Sequence, residues 1–141
     1  MTTMTLTAEN FEQTVADNEI VLVDFWAGWC GPCRQFAPVY ERASEAHPDI
    51  MFGKVDTEAE AQLAGAARIT SIPTLMAFKD QVLVFSQPGA LNAQQLEQVV
   101  EAVKGLDMDE VHAHVARQRE EAAASANRPA GPQDGTQIPD A

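Results

Sequence analysis

The chain has 141 residues, of which 45% are hydrophobic, enough for one globular domain of about 100–150 residues. Its formal net charge of -12, from 9 basic and 21 acidic residues, disfavours binding to nucleic acids or anionic membrane surfaces. The N-terminal residues lack the basic and apolar regions of a secretory signal, and no apolar run reaches the roughly 18–20 residues of a membrane span. We therefore expect a cytoplasmic protein.

The first half of the chain alternates between helix and strand signals. Residues 10–15 carry apolar side chains at helical spacing, with Thr7 as the expected cap. The apolar run Ile20–Trp26 is rich in branched residues and predicts a strand that is covered on both faces. A helix should follow over residues 33–46, with a kink at Pro38, which lacks a backbone N–H.

The second half continues the alternation. Residues 50–55 predict another central strand, and Thr57 with Glu60 forms the pattern of a capping box for a helix that reaches residue 67. A hairpin should follow, because two apolar segments flank a short polar one: residues 74–78, 82–85 and 79–81 between them.

The C-terminal third contains a core helix and an extension. Asn92, with Gln95 three residues later, predicts a capped helix that ends near Gly105. Residues 107–124 predict a further helix with a thin apolar stripe, whereas residues 125–141 have the composition of a disordered tail. We expect residues 1–106 to form an α/β domain with a mixed sheet of 4–5 strands and helices on both faces, its first crossover right-handed.

The chain has only two cysteines, Cys30 and Cys33. A disulfide scaffold needs more cysteines, and a structural zinc site usually needs four ligands. The three histidines, His47, His112 and His114, are scattered along the chain, so no metal site is expected.

The spacing of the two cysteines predicts a reversible dithiol. If Cys30 is the N-cap of the helix that follows the strand, Cys33 lies in the first turn on the same face, within disulfide distance. Unpaired N–H groups and the positive helix end then stabilise a thiolate at Cys30. We expect an exposed Cys30 to attack a target disulfide and a shielded Cys33 to resolve the mixed disulfide.

At these residues the sequence resembles the thioredoxin family over about residues 4–105. Trp29-Cys30-Gly31-Pro32-Cys33, preceded by Val23-Asp24-Phe25-Trp26, matches the active-site segment of the family, and Ile72-Pro73-Thr74 matches its cis-proline segment. Gly89 matches its loop glycine. A lone CxxC is weak evidence, but this combination of motifs is highly specific.

The resemblance implies roles for further residues. Asp24 would accept the proton of Cys33, and desolvation within an apolar strand should raise the pKa of its carboxyl. Lys54 would be the charge partner of Asp24. The Ile72–Pro73 bond would be cis, with the Ile72 backbone offered to the substrate chain. The docking surface would comprise Trp29, Gly31, Pro32, Pro73 and Gly89.

The resemblance also implies a reductant of protein disulfides that binds no cofactor and acts as a monomer. Its electrons would come from NADPH through a separate thioredoxin reductase, and Gly31-Pro32 lacks the histidine that isomerases and strong oxidants usually carry between their cysteines. Two alternatives stay open: an interaction protein that uses the C-terminal extension, and an oxidant or isomerase. Gly28, Pro88 and the extension depart from the family pattern.

Overall fold

A five-stranded mixed sheet organises residues 3–106 in this computed structural model, which describes residues 3–126. The strand order is β1-β3-β2-β4-β5, with β1 and β2 parallel to β3, β4 antiparallel to β2, and β5 antiparallel to β4. This confirms the mixed sheet. The strands are β1 (Thr3–Thr5), β2 (Ile20–Trp26), β3 (Met51–Asp56), β4 (Thr74–Lys79) and β5 (Val82–Pro88).

Four helices lie on the two faces of this sheet. Side chains from α2 and α4 pack with Ile20 and Leu22 of β2, whereas α1 and α3 pack with Val21 and Val23. Adjacent residues of a strand point to opposite faces, so β2 is apolar almost throughout because both of its faces are covered. The helices are α1 (Phe11–Asp17), α2 (Gly31–Ala46), α3 (Ala61–Ala66) and α4 (Ala93–Lys104).

The expected starts of α1 and α3 were wrong. Thr7 begins a turn in which its amide donates to Asn10 Oδ1, and α1 starts after Asn10. The capping box of Thr57 and Glu60 does not form, because Asp56 Oδ1 accepts the amides of residues 58 and 59 instead. Helix α3 therefore begins only at residue 61.

Other end signals were correct. Asn92 and Gln95 form the reciprocal capping box at the start of α4, and Gly105 follows its last residue. The hairpin turn is shorter than expected. Lys79 pairs with Val82, and only Asp80 and Gln81 connect the two strands, both with positive φ (51° and 67°).

A second unit begins at Asp107. Helix α5 (Met108–Ala126) begins where Asp107 Oδ1 accepts the amides of Asp109 and Glu110. The helix ends two residues later than expected, and the rest of the predicted disordered tail lies outside the described residues. Across residues 3–126, no helix has the combined length and apolar character that crossing a membrane requires.

Candidate active site

The two cysteines lie where β2 leads into α2. Cys30 has extended backbone angles at the N-cap position, and its Sγ accepts a hydrogen bond from the Cys33 amide at 3.2 Å. Pro32 occupies the first helical turn, where the absence of an N–H costs no helical hydrogen bond. The only local N–H that reaches this sulfur in residues 3–126 is therefore that of Cys33.

Cys30 and Cys33 are joined as a disulfide, with 5.2 Å between their Cα atoms. In this oxidised form the two residues have similar exposures, 4% and 3%, so the expected difference between them is not seen in whole-residue exposure. Their positions nevertheless differ, because Cys30 lines a surface cleft of about 490 Å³ and Cys33 does not.

This cleft contains most of the predicted docking residues. Trp29, Gly31, Pro32 and Ile72 line it together with Cys30, and the Cys30 Sγ lies 3.8 Å from the Ile72 carbonyl oxygen. The cleft therefore places an apolar wall and a backbone carbonyl beside the Cys30 sulfur. The remaining lining residues are Thr57, Ala64, Ile69, Thr70 and Ser71.

The segment before β4 is bound to the loop that follows β5. The Ile72–Pro73 peptide bond is cis, as the resemblance implies, and Pro73 is buried. Its carbonyl accepts the amide of Gly89 at 2.8 Å. Gly89 has a φ of 104°, a conformation that favours glycine. Neither Pro73 nor Gly89 lines the cleft, but the hydrogen bond between them fixes the segment that follows Ile72, which does line it.

Asp24 is buried at 1% exposure in β2. Burial raises the pKa of its carboxyl from 3.8 to about 7, and the positive charge of Lys54 counteracts part of this rise. Neither of its oxygens has a hydrogen-bond partner within residues 3–126. Such an unpaired buried carboxyl destabilises the fold and is typical of a functional site. The raised pKa matches the sequence-based expectation.

Lys54 is the cross-strand neighbour of Asp24 in the parallel ladder of β2 and β3. Its ammonium lies 5.1 Å from the centre of the Trp26 ring, a cation–π contact. In the described part of the chain no ion pair within 4.0 Å joins Lys54 to Asp24. Lys54 therefore acts on Asp24 through space, over a longer distance than a salt bridge.

Two further residues, Glu58 and Arg34, hold the loop before Cys30, and neither was predicted from the sequence. The Trp29 indole, 68% exposed, donates to Glu58 Oε2 at 3.0 Å, and Arg34 Nη1 donates to the Gly28 carbonyl at 2.9 Å. Gly28, which departs from the family pattern, is therefore held in place by Arg34. Glu58 escaped notice because the expected capping box placed it inside a helix.

Comparison with known proteins agrees with this geometry. The family model that matches the chain is Thioredoxin, over residues 2–102. "Putative thioredoxin 2" of Streptomyces coelicolor is 61% identical over 120 residues, which cover 85% of this chain and 90% of that protein. Since the first unit has only 106 residues, at least 14 of the 120 aligned residues lie beyond it. A thioredoxin of Alicyclobacillus acidocaldarius is 45% identical over 67% of this chain and 91% of its own length.

Solved structures give the same result for the fold. Plasmodium falciparum thioredoxin superimposes with a TM-score of 0.66 at 36% identity, covering 70% of this chain and 97% of that one. A mutant thioredoxin from Halobacterium salinarum gives a TM-score of 0.69 at 30% identity, covering 74% of this chain and 92% of that one.

Proposed function

The chain belongs to the thioredoxin family and is a thiol–disulfide oxidoreductase with protein-disulfide reductase activity, and we propose that Cys30, Cys33 and Asp24 divide its chemistry among them. Cys30 is the attacking thiolate, Cys33 the resolving thiol and Asp24 the acceptor of the Cys33 proton. The observation that carries this assignment is the position of Cys30 at the N-terminus of α2, where its sulfur accepts the Cys33 amide.

The reaction has two displacements. The Cys30 thiolate attacks one sulfur of the target disulfide, so that a mixed disulfide forms and the other target sulfur leaves as a thiolate. Cys33 then transfers its proton to ionised Asp24 and attacks the Cys30 Sγ, which releases the second target thiolate. The target gains two electrons, and Cys30 and Cys33 lose two as their own disulfide forms.

The thiolate at Cys30 is stabilised by its surroundings. The Cys33 amide donates to the sulfur, and the unpaired N–H groups at the start of α2 present positive charge to it. Gly31 and Pro32 bring no cationic side chain between the cysteines, so the thiolate receives less stabilisation than a histidine would give. This supports the assignment of a reductant rather than an oxidant, because a less stabilised dithiol gives up electrons more readily.

The docking surface on this proposal is the cleft lined by Trp29, Gly31, Pro32 and Ile72. An extended target segment would lie beside the Ile72 backbone, where strand-like hydrogen bonds accept varied sequences, with its disulfide at Cys30. Pro73 and Gly89 hold this edge through the hydrogen bond between them.

Several finer assignments belong to the same proposal. The chain acts as a monomer in the cytoplasm without a bound cofactor, and a separate thioredoxin reductase returns electrons to it from NADPH. Its partners are that reductase and proteins with accessible disulfides. The extension from Asp107 onward is not needed for the chemistry, so deletion of residues 107–141 should leave turnover nearly unchanged. Loss of most activity in this truncation would contradict that view.

Trapping of the mixed disulfide tests the order of the two cysteines. A Cys33→Ser variant should accumulate a covalent adduct with a disulfide-containing substrate such as insulin, whereas Cys30→Ser should form none. The parent should catalyse insulin reduction with dithiothreitol, and it should turn over with NADPH and a thioredoxin reductase. Adducts formed by Cys30→Ser but not by Cys33→Ser would reverse the assignment.

A further inference from the structure

The end of α2 that lies away from the dithiol carries a second group of chemically active side chains. His47 terminates α2 and is buried, and its Nε2 lies 2.9 Å from Glu97 Oε1 on α4. Glu101 lies one turn further along α4, on the same face as Glu97. These three residues offer one imidazole nitrogen and two carboxylates, and their ligand atoms all lie within 4.8 Å of one another.

The hydrogen bonds around His47 define which nitrogen faces the carboxylates. Lys104 Nζ lies 3.4 Å from Nδ1, and since an ammonium group can only donate, Nδ1 accepts this bond. The ring proton is therefore assigned to Nε2, which donates it to Glu97. Nε2 is the nitrogen that a metal ion would meet once this proton is released, and the exposed glutamates are free to turn toward the ion.

We propose that His47, Glu97 and Glu101 bind a divalent transition-metal ion of the Zn²⁺ type. An imidazole with two carboxylates is a ligand set that Zn²⁺ accepts, with water in its fourth position. The two carboxylates balance the charge of the ion, and the net charge of -12 on the chain also favours cations. The ion would link the end of α2 to α4. In the metal-free protein the His47–Glu97 hydrogen bond alone makes this link.

Metal binding also changes which nitrogen of the His47 ring carries the proton. Nε2 releases its proton to water as the nitrogen–metal bond forms, and Nδ1 takes one proton from water, so the ring stays neutral and the number of protons on it does not change. The Nδ1 proton points at Lys104, so Lys104 turns away from His47 toward Asp49, whose Oδ2 already lies 3.4 Å from its Nζ. A Lys104→Gln variant supplies an oxygen that accepts from Nδ1, an arrangement that usually strengthens a histidine ligand. Its affinity for Zn²⁺ should therefore match or exceed that of the parent.

No metal site was predicted from the sequence, because only cysteines and histidines were considered as ligands. His47 and Glu97 are 50 residues apart, and no local spacing marks them as neighbours. The site also lies at the far end of α2 from Cys30 and Cys33, whose reduced thiols would themselves bind Zn²⁺. Tests must therefore use the oxidised chain or a Cys30→Ser, Cys33→Ser double variant.

Calorimetric titration of the oxidised full chain with ZnCl₂ tests the proposal. We expect saturable binding of one ion per chain, a loss of at least tenfold in affinity for His47→Gln, and unchanged affinity for His114→Gln, which removes an exposed histidine from α5. Because His47 is buried, a Glu97→Gln, Glu101→Gln double variant repeats the test at exposed positions. The melting temperature should rise with Zn²⁺ in the parent and not in the double variant.

Three results would overturn the proposal. One is the absence of saturable Zn²⁺ binding to the oxidised parent. Another is parent-like affinity in the Glu97→Gln, Glu101→Gln variant, which would place any bound zinc elsewhere. The third is displacement of Zn²⁺ by equimolar MgCl₂, since Mg²⁺ prefers oxygen ligands and its competition would indicate an acidic patch without a role for the imidazole. Weaker binding by Lys104→Gln would refute the proton exchange.

Discussion

Replacement of Asp24 by Asn should stabilise the oxidised protein in a pH-dependent manner. The folded chain keeps its proton on Asp24 up to a pH of about 7, because burial raises the pKa of this carboxyl from 3.8. The unfolded chain releases that proton near pH 4. The rise of about 3 pH units corresponds to roughly 4 kcal/mol of destabilisation once the folded carboxyl is ionised.

The direction of the effect follows from where the proton is bound. Between pH 4 and pH 7 the folded state holds one more proton than the unfolded state, so the stability of the parent falls as the pH rises. The penalty is absent below pH 4 and complete above pH 7. Asparagine has no proton to lose. The free energy of unfolding of the Asp24→Asn variant, relative to that of the parent, should therefore rise by up to about 4 kcal/mol between pH 4 and pH 8.

Urea unfolding of the oxidised parent and variant between pH 4 and pH 8 measures this difference. Glu45→Gln removes an exposed carboxylate of α2 and serves as the control, for which the difference from the parent should change far less over the same range. An Asp24→Asn variant whose advantage over the parent does not change with pH, or shrinks as the pH rises, would refute the argument from burial.

Three further substitutions test packing and backbone conformation through urea unfolding. Lys79→Met should lower the free energy of unfolding by about 3 kcal/mol, because the buried ammonium donates to three carbonyls at and just beyond the end of α4, and these would lose their partner. A loss below about 1 kcal/mol would show that these hydrogen bonds are dispensable. Gly53→Ala should lower the free energy of unfolding by about 1–3 kcal/mol, because the new Cβ would overlap the buried Leu6 side chain, whose Cγ would lie 2.8 Å away. An unchanged urea midpoint would mean that Leu6 moves aside freely. Gln81→Gly should stabilise by up to about 1 kcal/mol, since its φ of 67° disfavours side chains, and destabilisation would contradict a strained turn.

The features that were predictable from the sequence depend on neighbours in the chain. Cys30 and Cys33 are close because of the helical turn between them, and the cap of Asn92 on Gln95 spans three residues. The burial of β2 was predictable because a nearly continuous apolar run needs cover on both faces. Asp24 interrupts that run, and this interruption alone predicted a raised pKa.

The features that were missed depend on contacts between distant segments. Strand β1 has only three residues, and its pairing with β3 defines it more than its own composition does. Lys79 was assigned to the hairpin turn, but the structure places it in β4, buried against the end of α4. Thr57 has the sequence of a helix cap, yet its hydroxyl donates to the Trp26 carbonyl, a partner that no local pattern reveals.

The pKa of Asp24 connects the stability of the domain with its proposed chemistry. A carboxyl whose pKa burial raises to about 7 changes its protonation state near neutral pH, a property suited to a group that takes a proton and later returns it. Pairing Asp24 with a close cation would stabilise the fold but would also lower this pKa and weaken the base. In the proposed mechanism, the position of the Lys54 ammonium over Trp26, rather than against the carboxylate, keeps the base effective. The instability that the Asp24→Asn variant removes is therefore the same property on which the proposed proton transfer to Asp24 depends.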